Sequence, residues 1–220
     1  MPELFWDGIA HAAESLLSPD VIQARHALAD AAKRYDWRAV AELLEESPQL
    51  VNTTRPGGGS LFAPLHQAAY GNAPAEVIKD LVARGAWLTL ENARGERPVD
   101  VAVRRGHNEV AAELEPRLVC DVPHGVLMKI QQHFHAVIRR EVAELVDRHS
   151  LRLPELQPLL EVDRDKRFFF QVPGMYGGFF YRLAEEGVAA KLVVIASSRM
   201  GGSRDYEIVS EGSDLVGEGP

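Results

Sequence analysis

The sequence predicts two parts. Residues 26–118 form a short solenoid of helical repeats. Residues 119–220 form an α+β region, in which a long helix packs on a small antiparallel β-meander. Three observations carry this reading. Two blocks that open on Pro64 and Pro98 stand 34 residues apart, close to the ~33-residue period of a repeat made of a turn and two short helices. Residues 124–148 place apolar side chains at threes and fours, the signature of an amphipathic helix. Between residues 167 and 217, short apolar runs alternate with glycine turns, as in a meander of strands.

Composition narrows the function. The chain has 220 residues, room for two domains, and a net charge of −8. Residues 1–120 carry −5 and residues 121–220 carry −3. Neither half is basic, so a nucleic-acid partner is disfavoured. An acidic surface serves solubility or attracts a basic protein. The single cysteine, Cys120, cannot form an intrachain disulfide, which fits a reducing compartment. Its neighbours Leu118, Val119 and Asp121 favour a buried, inert thiol. Residues 1–7 show no basic start followed by a long apolar core, so no signal peptide is expected. No run reaches the roughly 18 apolar residues of a membrane span. The expected location is cytoplasmic.

Taken in order, Leu4, Phe5, Ile9, Ala12, Ala13, Leu16 and Leu17 are spaced as on a helix. Residues 1–25 are therefore expected to form an N-terminal helical cap. A helix over 20–34 starts from Asp20 as N-cap. Another spans 37–46, with Val40, Leu43 and Leu44 inward, and ends at Ser47-Pro48. Residues 53–60, Thr-Thr-Arg-Pro-Gly-Gly-Gly-Ser, read as a loop.

From here the pattern becomes specific. One unit supplies Pro64, Leu65, His66, Ala68, Ala69, Glu76, Val77, Ile78, Leu81, Gly85 and Ala86. The next supplies Gly95, Pro98, Ala102, Gly106, His107, Glu109, Val110 and Leu114. A degenerate earlier unit uses Ala31, Ala32, Asp36, Val40, Leu43 and Leu44. At these offsets the stretch resembles two to three ankyrin repeats. The physics agrees: Pro64 and Pro98 suit the first helical position, Ala68 and Ala69 allow close helix approach, and Gly85 suits a left-handed helix end. Two features depart from the family pattern. The capping threonine is replaced by Ala63 and by Arg97, with Asp100 where the second histidine would be, and Gly57–Ser60 lengthens the first connection. Ala63 cannot cap, a loss of about 1 kcal/mol. Arg97 can pair with Asp100. So short a stack needs both ends covered, since about three units are usually required. Residues 3–25 are expected to cap one end and something after residue 118 the other.

The resemblance implies a concave protein-binding surface made by loop tips and the exposed side of each first helix. By position it implicates Tyr35, Trp37, Arg55, Leu61, Phe62, Tyr70 and Asn72, and then Trp87, Asn92, Arg94, Glu96, Arg104 and Arg105. Aromatics and arginines are the types enriched at binding hot spots. Core positions are the equal alternative for Trp37 and Phe62.

In the second half, Val126, Leu127, Ile130, Phe134, Val137, Ile138, Val142, Leu145 and Val146 form the apolar face of the 124–148 helix, with Lys129, Gln131, Gln132, Arg139, Arg140, Glu141 and Glu144 opposite. This helix packs on the repeats, on the sheet, or on both. A short helix or turn surrounds Pro158. Strands are expected at 167–172, 179–183, 191–196 and 206–209, with a fifth at 215–216. The run 153–160 followed by 172–179 resembles the C-terminal region of some bacterial ankyrin-repeat proteins, which implies a bacterial origin and adds no mechanism.

Chemistry-bearing constellations are sparse. His133 and His135 point about 200° apart on a helix and cannot share a metal, unlike pairs at i, i+3 or i, i+4. His124 and His149 complete no ligand set. Gly57–Ser60 lacks the lysine and preceding strand of a phosphate loop. No histidine follows His149, so Ser197, Ser198 and Ser203 lack a base for nucleophilic catalysis. The Phe168–Phe170 and Phe179–Tyr181 aromatics have no basic groove beside them. The expectation is a non-enzymatic scaffold with no cofactor, metal or catalytic residue. It would be an adaptor or inhibitor, in one version immunity-like, that binds another protein on the concave face. The alternative is a small-molecule sensor or enzyme with a ligand lip of Tyr176, Arg182, Arg199 and Tyr206 on the C-terminal sheet. A third reading makes the sheet purely a cap.

Overall fold

The computed structural model describes residues 4–9, 16–199 and 201–219. The chain divides into a helical unit, residues 9–117, and a sheet unit, residues 1–8 with 118–220. The expected helical segment of residues 1–25 is therefore divided. Its strand Leu4–Phe5 belongs to the sheet unit, and the helix beginning at Pro19 belongs to the helical unit. The part of that expectation on residues 1–3 and 10–15 lies outside the described residues. Among the described residues the fold is mixed α/β, with seven helices and a six-stranded mixed sheet. No helix among them is long and apolar enough to cross a membrane.

The helical unit consists of α1 (Pro19–Lys33), α2 (Trp37–Glu46), α3 (Pro64–Tyr70), α4 (Ala75–Ala83), α5 (Pro98–Arg105) and α6 (Asn108–Glu113). Ser18, not Asp20, holds the N-cap position of α1. Pro19 at N1 starts the helix earlier, and Asp20 falls in the first turn, where its charge meets the positive helix end. Asp36 caps α2 by accepting from Ala39 N at 3.2 Å. Gly85 takes the left-handed conformation, φ +92°. The core is small and aliphatic: Leu28, Ala32, Leu44, Leu65, Ala68, Ala69, Ile78, Leu81, Val101, Ala102 and Leu114 are buried together.

The missing threonine cap at Ala63 is replaced from the other side. His66, fully buried, accepts from Ala63 N through Nδ1 at 3.4 Å. Its Nε2–H donates to Glu96 O at 3.2 Å. At α5, Asp100 plays the first of these parts. It accepts from Arg97 N at 3.0 Å and from the Arg97 guanidinium at 2.9 and 3.0 Å. That guanidinium holds the Asp100 carboxyl below its usual range. Other ties join segments about one period apart. Asn52 donates to Gly85 O at 2.8 Å and accepts from Trp87 N at 2.9 Å. His107 Nδ1 donates to Ala69 O at 3.0 Å.

The sheet unit contains β1 (Leu4–Phe5), α7 (His124–His149), β2 (Phe168–Val172), β3 (Gly177–Glu185), β4 (Lys191–Ser198), β5 (Gly202–Val209) and β6 (Gly212–Gly219). The strands lie in sequence order. β2 to β6 form an antiparallel meander, and β1 adds to β2 in parallel. Leu4 and Phe5 are thus strand residues where helical spacing predicted a helix. Backbone bonds decide the matter: Leu4 N donates to Arg167 O at 3.1 Å and Trp6 N to Phe169 O at 2.9 Å. Trp6 is then held by its indole N–H on Arg152 O at 2.9 Å, with the Arg152 guanidinium over its ring at 4.8 Å.

Alternation along the strands separates two faces. Phe168, Phe170, Phe179, Tyr181, Leu183, Leu192, Val194, Tyr206 and Ile208 are buried. Phe134 of α7 meets this face, its ring 6.3 Å from Phe179 and 5.0 Å from Tyr181. The opposite face carries Phe169, Phe180, Arg182, Ile195 and Glu207, which remain partly exposed. α7 breaks at Val142, whose φ −145° and ψ 33° are not helical. Two residues expected on the solvent side of α7 are turned inward. Gln131 falls in register with buried Leu127, Phe134 and Ile138, and its Oε1 accepts from Leu156 N at 2.8 Å. Glu141, 11% exposed, accepts from Tyr206 OH at 2.7 Å and Arg204 Nη1 at 2.8 Å. Cys120 is buried, its thiol pushed up by desolvation.

Candidate functional site

The residues proposed from sequence as partner-binding divide into three groups. The first forms a strip of two aromatic pairs on the helical unit, linked at Gly71. Tyr35 and Trp37 lie ring to ring at 6.1 Å. Tyr35 lies flat on Gly71, where an added Cβ would sit 2.3 Å from Cε1. Only glycine allows this approach. Tyr70 immediately precedes Gly71, and its ring is 6.1 Å from Phe62. The Arg105 guanidinium sits 4.4 Å above Tyr70, a cation–π contact. None of these five side chains is fully buried. Arg104 borders the strip and pairs with Glu96 at 2.5 and 3.1 Å, which keeps the Glu96 carboxyl below its ordinary value.

The second group has structural work instead. Trp87 and Asn92 are buried. Asn92 Oδ1 accepts from Arg94 N at 2.7 Å and Glu96 N at 3.2 Å, and its amide donates to Glu96 Oε2 at 3.0 Å. Asn92 therefore folds the 92–97 turn from a buried position. Leu61 is buried with φ +53°. Arg55 is turned onto α1, where it pairs with Asp30 and meets His26 Nδ1 at 3.0 Å. The third group, Asn72 and Arg94, is exposed and stands outside the ring contacts.

The four residues proposed as a ligand lip do not converge. Tyr206 faces α7 and Glu141, on the side of the sheet away from the turn's cavity; burial raises its phenol above the ordinary value, and Glu141 adds to the shift. Arg182 stands opposite Val193 on the outer face and does not line the cavity. Tyr176 and Arg199 do share a cavity of about 440 Å³ at the 173–177 turn, with Phe169, Gln171, Val172, Pro173, Gly174 and Gly177. The turn is fixed to the end of β4 by Ser198 Oγ donating to Met175 O at 2.8 Å and Arg199 N donating to Tyr176 O at 3.4 Å.

The histidines serve separate purposes. His135 Nε2 donates to Pro154 O at 2.8 Å, and burial lowers its pKa. His133 is partly exposed on another side of α7. No group of three or more His, Cys, Asp or Glu among the described residues could hold a metal ion. Sequence reasoning missed His66 and Gly71 as residues that shape the strip, Asn52 as the tie to Gly85 and Trp87, and Glu141 as the anchor between helix and sheet. His66 lies inside the repeat block and Asn52 one period before Gly85, so a period-based reading could have found both. Glu141 carried no signal.

No protein-family model matches the chain, and no curated protein matches it significantly.

Proposed function

We propose that this protein is a non-enzymatic binding scaffold, an adaptor or inhibitor, whose helical unit is a short ankyrin-type stack that captures another protein on the Trp37–Tyr35–Tyr70–Phe62–Arg105 strip. One observation carries the reading: four partly exposed aromatic rings and an arginine are held side by side by residues spread over three helix pairs. Pre-ordered aromatic side chains lose little entropy on binding and supply large contact areas. The repeat reading is supported by Pro64 and Pro98 at equivalent helix starts, and by the ties from His66, Asn52 and His107 to neighbouring segments. A net charge of −8 suits a basic partner.

The test is affinity capture from the source cell, with Tyr70→Ala and Arg105→Ala as controls. One enriched protein, lost in both variants and released by salt, is the expected result. Equal recovery by wild type and variants would remove the strip from the account.

A further inference from the structure

The cavity at the 173–177 turn lies in the sheet unit and plays no part in the proposal above. Its walls are chemically mixed. Phe169 and Gln171 project from the same face of β2, two residues apart. Phe169 is locked by stacking on Phe180 at 4.5 Å and by an edge contact with Phe5 at 6.0 Å. Arg199 closes another side, and its guanidinium has no carboxylate partner among the described residues. Gln171 and Tyr176 also carry side-chain polar groups with no partner there.

Tyr176 is unusual in its backbone. It holds φ +53°, a region that a non-glycine residue occupies at a cost, yet its side chain is 70% exposed. The turn's hydrogen bonds to the end of β4, and not burial of the ring, hold that conformation. Costly backbone geometry fixed by its surroundings clusters at ligand clamps and active sites. The volume, about 440 Å³, falls in the range of small-molecule sites.

We propose that this cavity binds a small aromatic carboxylate. The Arg199 guanidinium matches the two oxygens of a carboxylate in a paired, charge-assisted geometry. The fixed ring of Phe169 offers a flat apolar surface to the aryl group. Gln171 and the Tyr176 hydroxyl supply further donors at the rim. An uncharged ligand leaves Arg199 unanswered, and an aliphatic one forgoes the Phe169 face, so both bind more weakly.

Amide NMR spectra of the 220-residue chain titrated with phenylacetate test this, with phenylacetamide as the uncharged counterpart. The expected result is a saturable shift of the Gly174, Gly177 and Gly178 amides with phenylacetate, weaker by about tenfold or more with phenylacetamide, as for loss of a charge-assisted hydrogen bond. Arg199→Gln should reduce phenylacetate binding by a similar factor while leaving the thermal midpoint unchanged. Tyr176→Gly should raise the midpoint, because it relieves the backbone, and weaken binding. Absence of saturable shifts at these glycines, or equal binding of acid and amide, or binding indifferent to Arg199→Gln, would overturn the proposal.

Discussion

The packed cores of the helical unit and the sheet unit are filled in opposite ways, one with small aliphatic side chains and the other with rings. In the sheet unit Phe134, Phe168, Phe170, Phe179 and Tyr181 are buried against one another. A helix lying on a sheet leaves a wide gap, and bulky rings fill it. In the helical unit, the alanines Ala32, Ala68, Ala69 and Ala102 bring short helices close together, so little room remains for rings. Tyr35, Trp37, Phe62 and Tyr70 are left partly in solvent. The lesson is that the packing demands of a fold decide which aromatics become available for recognition.

The comparison can be broken most severely at Phe134. Phe134→Ala leaves a cavity between Phe179 and Tyr181, and a loss of about 3–5 kcal/mol is expected in denaturant unfolding of the sheet unit. Tyr70→Ala, by contrast, should cost far less stability. A result in which the two losses are equal would end the distinction.

Next comes His66→Ala, which strands Ala63 N in a buried setting and leaves Glu96 O with only its bond from Asn92 N. A loss of about 2 kcal/mol is expected, the usual penalty for unsatisfied buried groups. Hydrogen exchange should quicken at the Ala63 amide first.

Tyr206→Phe tests the link between sheet and α7. It removes the bond to Glu141 and should cost about 1 kcal/mol near neutral pH. The sign with pH follows from the raised phenol pKa. The stability linked to this group is present below pH ~10 and is lost as pH rises through the folded-state value, where a phenolate would face Glu141. Wild type should therefore lose stability in alkali faster than Tyr206→Phe, as equilibrium unfolding across that range would measure.

The smallest effect is expected at Tyr181, whose buried hydroxyl has no hydrogen-bond partner among the described residues. Tyr181→Phe should be neutral or stabilising by up to about 1 kcal/mol, because the desolvated hydroxyl is removed without loss of a bond. A marked destabilisation in the same unfolding assay would mean that the hydroxyl is bonded in solution.

Much of this arrangement was legible in the sequence, for identifiable reasons. Period-two alternation places Phe168 and Phe170 on one face and Phe169 on the other. Proline at the start of α3 and α5 and glycine after α4 punctuate the helices. Three kinds of feature were not legible. β1 depends on Leu4 and Phe5 meeting residues 167–169 far along the chain, and two strand residues carry no periodicity of their own. Gln131 and Glu141 are polar types at inward positions, so pattern alone assigns them to solvent. Whether a loop residue such as Asn92 serves a partner or its own turn depends on hydrogen bonds that residue type does not encode. The surface strip was readable by position, because Tyr35, Tyr70 and Arg105 recur near the ends of successive first helices.

The most direct test of the central claim is site-specific photo-crosslinking in the source cell. A photoreactive amino acid is placed at Trp37 or Phe62 on the strip, or at exposed Glu109 on α6 as a control. The account predicts one discrete adduct from each strip position and none from Glu109. Adducts of equal yield from Glu109, or none from either strip position, would contradict it.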